Sequence, residues 1–426
     1  MRRPLAVPAL AVLASTSPYS ACAQGLGAGW VFGGVPELSR SDVAGNRSEP
    51  DLEVAPDRFG PFLLASRLAV ITGYDGNVFN TPAARSDGVL LLTPEMALSL
   101  DDPRRTLALS VSGRLRRFAN QESENSEEFR LAGRSGLPIT NNLSFALSAD
   151  LARRIEPRSS SGGALDAREP ASYDRISAAP ILTFDLGRLQ LQAGAGYQRV
   201  TFNPLAAGDG GRLSQAFRDM RSHGAKVRLA YDLSGFLSVV ASIAGEEHAS
   251  IRPAQGRERD FRESSVALGL EGEVTPLFHV ELALGYQDRN YGNAFYRDFA
   301  GASFSVQAEW YCTPLLTTKL VASRAFRNSG NPEVPAILED TLAISAYYDP
   351  TRRLRISGAM EMRWDRYRDV ASEARRSRIE LQVQYRLDRH VSVSGQLYRT
   401  QQDVSGARLV NPYTSLGAGV GIVWTP

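Results

Sequence analysis

Hydrophobic and polar residues alternate with a period of two along most of the chain. In a strand, successive side chains point to opposite faces, so such a segment predicts one apolar face and one polar face. About a dozen residues per segment is longer than the usual strand and suits a tilted strand that crosses a bilayer. In residues 354–365 the apolar parity is Leu354, Ile356, Gly358, Met360, Met362 and Trp364, and the polar parity is Arg355, Ser357, Ala359, Glu361, Arg363 and Asp365.

The same alternation, bounded by turn residues, recurs eighteen times between Ser66 and Trp424. Each recurrence predicts one strand, because period-two patterning between turn signals is the main sequence signature of a strand. The predicted strands are 66–76, 88–100, 106–118, 127–137, 143–154, 173–184, 188–202, 221–231, 237–250, 261–273, 278–290, 298–310, 316–326, 340–348, 354–367, 375–386, 391–401 and 412–424.

Short and long connections alternate between these segments. The long ones include 155–172 and 203–220, with small polar or glycine-rich runs at 159–163 and 208–211. Such alternation predicts an all-β fold: a transmembrane antiparallel up-and-down β-barrel of about 18 strands, with short periplasmic turns and longer extracellular loops. The short connections carry turn-forming residues at 101–103, 138–142, 185–187, 232–235, 275–276, 313–314, 349–350 and 387–389.

Aromatic residues cluster near both ends of the predicted strands. Rings with a polar edge prefer the membrane interface, so two aromatic girdles are expected around a closed barrel. A soluble β-sandwich would also alternate, but it rarely needs so many strands of this length. The predicted turn-end residues are Tyr231, Trp310, Tyr311, Tyr347, Tyr348, Tyr385 and Trp424, and the loop-end residues are Phe118, Phe202, Tyr291, Phe326, Trp364 and Tyr367.

The 426 residues carry a net charge of only +2, and Lys226 and Lys319 are the only lysines. Positive residues are interleaved with Asp and Glu, which argues against nucleic acid as a partner. Beyond the N-terminus no apolar run reaches eighteen residues, so no membrane-spanning helix is expected.

The N-terminal region predicts two further segments before the barrel. Residues 1–23 have a charged start, an apolar stretch and a small-residue site at Ala21-Cys22-Ala23, which predicts a secretory signal peptide. Residues 24–61 are glycine-rich and then acidic. We interpret them as a flexible periplasmic lead-in, with a partner contact or a small plug as the alternative. The barrel is assigned to residues 62–426.

A barrel of about eighteen strands is too wide for side chains to fill, so a water channel is expected. The inward parity carries both signs of charge. The charged pairs could simply stiffen the wall, or they could form a hydrated lining that passes a large polar or anionic solute. The predicted pore-lining residues are Arg114, Arg116, Arg130, Arg134, Arg228, Glu271, Glu281, Glu309, Arg355, Glu361, Arg363, Arg378 and Glu380.

The sequence contains no motif that predicts catalysis, a cofactor or a metal site. Its four histidines lack the spacing of metal ligands. The pair His248-x-Ser250 resembles the His-x-Ser of outer-membrane lipid hydrolases, but Ile251 and Arg252 replace the residues that usually follow. We therefore predict that the protein is not an enzyme and interpret His248 as a rim residue near the membrane interface.

Several residues in the first strands resemble the putative beta-barrel porin 2 family. They are Tyr74-Asp75-Gly76-Asn77-Val78-Phe79, then Ser86-Asp87, Thr93-Pro94, Phe118, Asn125 and Phe129. Members of that family look like outer-membrane barrels encoded with exopolysaccharide or capsule machinery.

This resemblance implies an outer-membrane channel that exports an exopolysaccharide. The expected partners are outer-membrane lipid, the transported polysaccharide chain and a periplasmic polysaccharide-export protein. An uptake porin, general or solute-specific, and a structural or adhesive barrel without transport are the alternatives.

Overall fold

The computed structural model describes residue 40 and residues 43–102, 104–160, 167–206, 211–253 and 258–426. The predicted signal peptide, much of the segment 24–61, and parts of the predicted runs 159–163 and 208–211 lie outside these residues. The helices described are short 3-10 turns at Pro50–Leu52, Glu122–Glu124 and Ala216–Arg218. None of them is long and apolar enough to cross a membrane.

Eighteen long strands form one closed antiparallel barrel, as the sequence predicts. Each strand pairs with its predecessor, and the last strand pairs with the first, from Leu68 opposite Trp424 to Asp75 opposite Gly417. The strands are β1 Phe62–Asp75, β2 Asp87–Leu100, β3 Thr106–Phe118, β4 Ser126–Pro138, β5 Leu143–Ile155, β6 Ser172–Leu186, β7 Leu189–Phe202, β8 Met220–Asp232, β9 Leu237–Ser250, β10 Phe261–Thr275, β11 Phe278–Tyr291, β12 Phe299–Thr313, β13 Leu316–Asn328, β14 Ala336–Tyr348, β15 Leu354–Tyr367, β16 Ser372–Arg386, β17 Val391–Gly406 and β18 Tyr413–Trp424.

The connections confirm the predicted asymmetry between the two ends of the barrel. At one end the intervals between strands are two to five residues, and at the other they are four to seventeen residues. Three short strands are additional to the prediction. Asp57–Phe59 pairs with the start of β1, and Leu205–Ala206 pairs with Arg212–Leu213 inside the loop between β7 and β8.

Strand register separates an outer apolar face from an inner polar face. Met360 of β15 lies opposite Ile344 of β14 and Ile379 of β16, and these side chains are 39%, 44% and 53% exposed. The next row, Glu361 with Ala343 and Arg378, points inward. Backbone groups in hydrocarbon must be paired within the protein, and a closed sheet with an apolar exterior meets that requirement.

The turn-end aromatic girdle forms largely as predicted. Tyr231, Trp310, Tyr348, Tyr385 and Trp424 are between 43% and 54% exposed on the outer wall. Tyr311 and Tyr347 are exceptions on the inward parity. Tyr311 is buried and donates to Glu309, while Tyr347 lies against residue 45 of the N-terminal segment.

The predicted loop-end girdle is largely wrong. Phe202, Phe326 and Tyr367 are buried, and Tyr291 packs against the rings of its neighbours. Trp364 remains on the outer wall beside Arg375. Height along the strand is therefore not sufficient to assign an aromatic residue to lipid. Phe202, Tyr291 and Tyr367 lie on the inward row at the loop end, and Phe326 packs against the ring of Phe299.

Candidate solute channel

On strands β3 to β6 several inward charges form cross-strand ion pairs. Arg114 lies 3.4 Å from Glu128. Arg130 and Arg175 both bind the carboxylate of Asp150, the latter through Nε at 3.0 Å. In the described part of the chain, Arg116 and Arg134 form no ion pair, and both face the lumen exposed.

Strands β8 to β13 continue the paired wall. Arg228 of β8 binds Glu271 of β10 across the intervening strand β9. Glu281 lies 3.6 Å from His279 on its own strand.

One pair on this arc is buried. Glu309 accepts a hydrogen bond from Lys319 Nζ at 3.0 Å and another from Tyr311 Oη at 3.0 Å. The side chains of both Glu309 and Lys319 are less than a tenth exposed.

On β15 and β16 the predicted arginines are also paired. Arg355 binds Asp349 at 2.8 Å and 3.0 Å. Arg378 binds Glu380 at 2.9 Å.

Arg363 lies 3.3 Å from Glu361 and 3.6 Å from Glu339. Glu339 is itself bound by Arg327 at 3.3 Å and lies opposite buried Asp365. A cluster of charges is therefore buried in the wall at the loop end of β13 to β15.

All of the predicted pore-lining residues thus lie on inward rows, and most of them are paired with an opposite charge. Pairing cancels much of the field that a single-sign lining would produce. The inner wall is therefore rich in hydrogen-bonding groups that carry little net charge. Whether it conducts a solute stays a prediction.

Strands β17 and β18 carry an inward tyrosine and a row of inward glycines that the sequence pattern did not single out. Tyr398 of β17 points inward, and its ring lies over Gly417 of β18. The guanidinium carbon of Arg378 is 4.6 Å from the centre of that ring. Gly417, Gly419 and Gly421 share the inward face, which their every-second-residue spacing indicates.

A recess of about 270 Å³ opens into the lumen between β8 and β13. Its floor is made of small side chains such as Ser242, Ala267, Gly269 and Ser305. Arg228 and Glu271 also line this recess. Small residues on the inward face widen the channel locally, because short side chains project less into the lumen.

At the loop end, the loop between β5 and β6 contacts a strand on the far side of the lumen. Arg376 of β16 donates a hydrogen bond to the backbone oxygen of Ser159, which lies in the loop between β5 and β6. The same loop is held by Arg158 on Glu124 and by Arg218 on Glu156, the latter at 2.8 Å. These contacts narrow the outer mouth of the channel.

A second group of loops is tied together by Arg259. Its guanidinium donates to the backbone oxygens of Ser329 at 2.6 Å and Val334 at 2.7 Å. Val334 is buried in an apolar cluster with Ile337 and Val410. The loops between β9 and β10, β13 and β14, and β17 and β18 are therefore joined over the rim.

At the turn end, the N-terminal segment lies against the inner rim. The Gly45 N–H donates to Asp349 Oδ2 at 3.0 Å, and Ala44 is fully buried. Glu53 lies 3.7 Å from Arg386. Burial raises the pKa of Asp349, but the hydrogen bond and charge of Arg355 outweigh it and leave that pKa below its ordinary value.

His248 is buried in the wall rather than placed at the membrane interface. Its Nδ1 lies 2.7 Å from Ser222 Oγ, and its ring stacks on Phe261 at 4.1 Å. Ser250 instead accepts a hydrogen bond from the backbone N–H of Arg259. The pair His248-x-Ser250 therefore does not act as a unit, and the interpretation of His248 as an interfacial rim residue is wrong.

Among the described residues, no group of three or more His, Cys, Asp or Glu side chains is placed to hold a metal ion.

The sequence model of the family described as "Putative beta-barrel porin 2" matches residues 49–423. No curated protein matches the chain. Among solved structures, OccK2 (OpdF) of Pseudomonas aeruginosa in complex with glucuronate is 12% identical, with a TM-score of 0.45 over 85% of this chain and 98% of that one. The copper transporter OprC is 11% identical, with a TM-score of 0.48 over 87% of this chain and 81% of that one.

Proposed function

The chain belongs to the putative beta-barrel porin 2 family and is a porin-like barrel of the outer membrane, and from that premise we propose that it exports an exopolysaccharide. The sugar polymer comes from the family resemblance. The lining of the lumen is the observation that supports it. Alternative solutes would have to suit the same lining.

That lining combines paired charges with amide and phenol groups. Gln382 and Gln384 of β16 lie on the same inward face as Gln396 and Tyr398 of β17. Amides and phenols can exchange hydrogen bonds with sugar hydroxyls without holding any one of them tightly. A polymer that must keep moving needs such weak, repeated contacts.

The proposed mechanism is passive. A chain delivered at the turn end slides along the amide-bearing wall of β16 and β17 and leaves between the loops. Because Arg376 holds Ser159 over the outer mouth, export requires that loop to move. The segment 43–53 lies at the inner rim, where a periplasmic polysaccharide-export protein would dock.

Deletion of the gene and measurement of secreted polymer test this proposal. We expect polymer to accumulate in the periplasm and export to be restored by the wild-type gene. We also expect a Gln382→Leu with Gln396→Leu variant, expressed in the deletion strain, to reach the outer membrane but to restore only part of the export. Unchanged export after deletion would contradict the proposal.

The same protein in planar bilayers separates export from uptake. A dedicated exporter with bridged loops is expected to show small or intermittent currents when it is alone. Large steady currents without a partner would favour an uptake porin instead. A barrel with no sugar flux in a liposome-swelling assay, but with surface binding, would favour the structural or adhesive alternative.

A further inference from the structure

Two arginines face each other on the outer wall near the loop end. Arg199 of β7 and Arg221 of β8 are direct cross-strand partners, and both side chains are exposed. Two residues closer to the turn end on the same face, exposed Tyr197 lies opposite His223. His223 Nε2 is 3.6 Å from Glu247 on β9.

Neither arginine has an ion pair or a side-chain hydrogen bond among the residues that the structure describes. Two other outward arginines at this end are neutralised, since Arg117 binds Glu127 and Arg153 binds Asp174 at 2.8 Å. Like charges directly opposite each other in an antiparallel pair destabilise the sheet. Among the described residues, no carboxylate therefore neutralises the Arg199–Arg221 pair.

The position of the pair along the barrel identifies where that anion would be. The opposed residues Leu189 and Tyr231 mark the turn-end edge of the same outward row, ten residues away on each strand. Ten residues at about 3.3 Å each, tilted by about 40°, rise about 25 Å. That is about the height of the apolar band of an outer-membrane barrel, so the guanidinium groups lie at the headgroup level of the outer leaflet.

We propose that Arg199 and Arg221 bind a phosphate group on a lipid of the outer leaflet. Arginine forks bind phosphate bidentately, and two forks from adjacent strands can share one phosphate. Tyr197 lies just below, where its ring contacts the upper part of the acyl chains and its hydroxyl reaches the headgroup. The site lies on the outer wall and is separate from the channel.

Native mass spectrometry of the detergent-purified full barrel tests the site. The probe is lipid A carrying two phosphates, compared with the same lipid after removal of both phosphates. The wild-type barrel should retain the phosphorylated form at least tenfold more strongly. Arg199→Gln with Arg221→Gln should remove that preference, while Arg199→Lys with Arg221→Lys should keep part of it.

A matched control removes the same charge at the other end of the barrel. Arg104 and Arg105 are exposed neighbours in the turn between β2 and β3. Arg104→Gln with Arg105→Gln should leave lipid retention unchanged. Heat-modifiable migration on gels confirms that each variant is folded. Equal retention of both lipids by the wild type, or an undiminished preference of the folded Arg199→Gln with Arg221→Gln variant for the phosphorylated lipid, would overturn the proposal.

Discussion

The ring of Tyr398 occupies the space where a side chain at Gly417 would be, so that any Cβ there would overlap it. Gly417→Ala should therefore push the ring off the wall and into the lumen. Overpacking of this kind costs about 1–3 kcal/mol. We expect a lower urea midpoint for unfolding from detergent micelles and a smaller single-channel conductance.

Gly395→Ala is the matched control for this prediction. A Cβ at residue 395 meets no atom within 4 Å, and the residue lies on the same strand as Tyr398. Stability and conductance should stay near those of the wild type. If both alanine variants behave alike, the ring does not depend on the glycine.

The assignment of faces is tested with one introduced residue at two positions. Met360→Arg places a guanidinium in the lipid near mid-strand and should cost about 2–4 kcal/mol. Gln382→Arg places the same group in the lumen on the neighbouring strand, where water solvates it. Folding yield into vesicles should fall for Met360→Arg only. Equal yields would mean that the two faces are reversed or equivalent.

The buried pair Lys319–Glu309 gives a stability prediction. Lys319→Met leaves the Glu309 carboxylate buried and without its cation, which should cost about 3–5 kcal/mol. The double variant Lys319→Met with Glu309→Leu removes both charges and should recover most of that loss. A double-mutant cycle in urea measures the coupling. Additive losses would show that the two side chains act independently.

The contact between Asp349 and Gly45 should depend on pH. The pKa of Asp349 lies below its ordinary value of 3.8, so its contribution is complete above that pH and is lost as the pH falls through the lower value. A nitroxide on Pro50→Cys, with Cys312→Ser, should be immobile at pH 6 and should gain mobility only as the pH is lowered below 3.8. In an Asp349→Asn variant the nitroxide should be mobile at pH 6 as well as at the lower pH. That variant loses the hydrogen bonds to a charged carboxylate, which contribute about 1.5–3 kcal/mol each.

The loop that crosses the outer mouth should limit the current. Arg376→Gln removes the contact with Ser159, so the loop is expected to open and the single-channel conductance to rise severalfold. Arg116→Gln removes the same charge from the lumen without touching a loop, and should change the conductance only slightly. A similar change in both variants would assign the effect to lumen charge alone.

The strands could be predicted from the sequence because their signals are local. Alternation and turn residues identified all eighteen, and the largest boundary error, at β17, arises because Gln402 and Val404 continue the strand pattern beyond 401. Parity placed Arg228 and Glu309 on the inner wall for the same reason. A period of two needs no knowledge of neighbouring strands.

The remaining contacts could not be predicted because they join distant parts of the chain. Gly45 and Asp349 are 304 residues apart, and Ser159 and Arg376 are 217 apart. No local pattern specifies such pairs. Phe202 and Tyr367 are a different case, because period-two parity alone places both on the inner row and nearness to a strand end does not change the face of a residue.

The pairing of β1 with β18 has a consequence for biogenesis. Residues 68–75 have no partner for their second edge until residues 417–424 have been synthesised and delivered. An apolar strand with an unpaired edge is a template for wrong pairing. The newly made chain must therefore be chaperoned in the periplasm over nearly its whole length. A nascent chain truncated before β18 should be degraded rather than inserted.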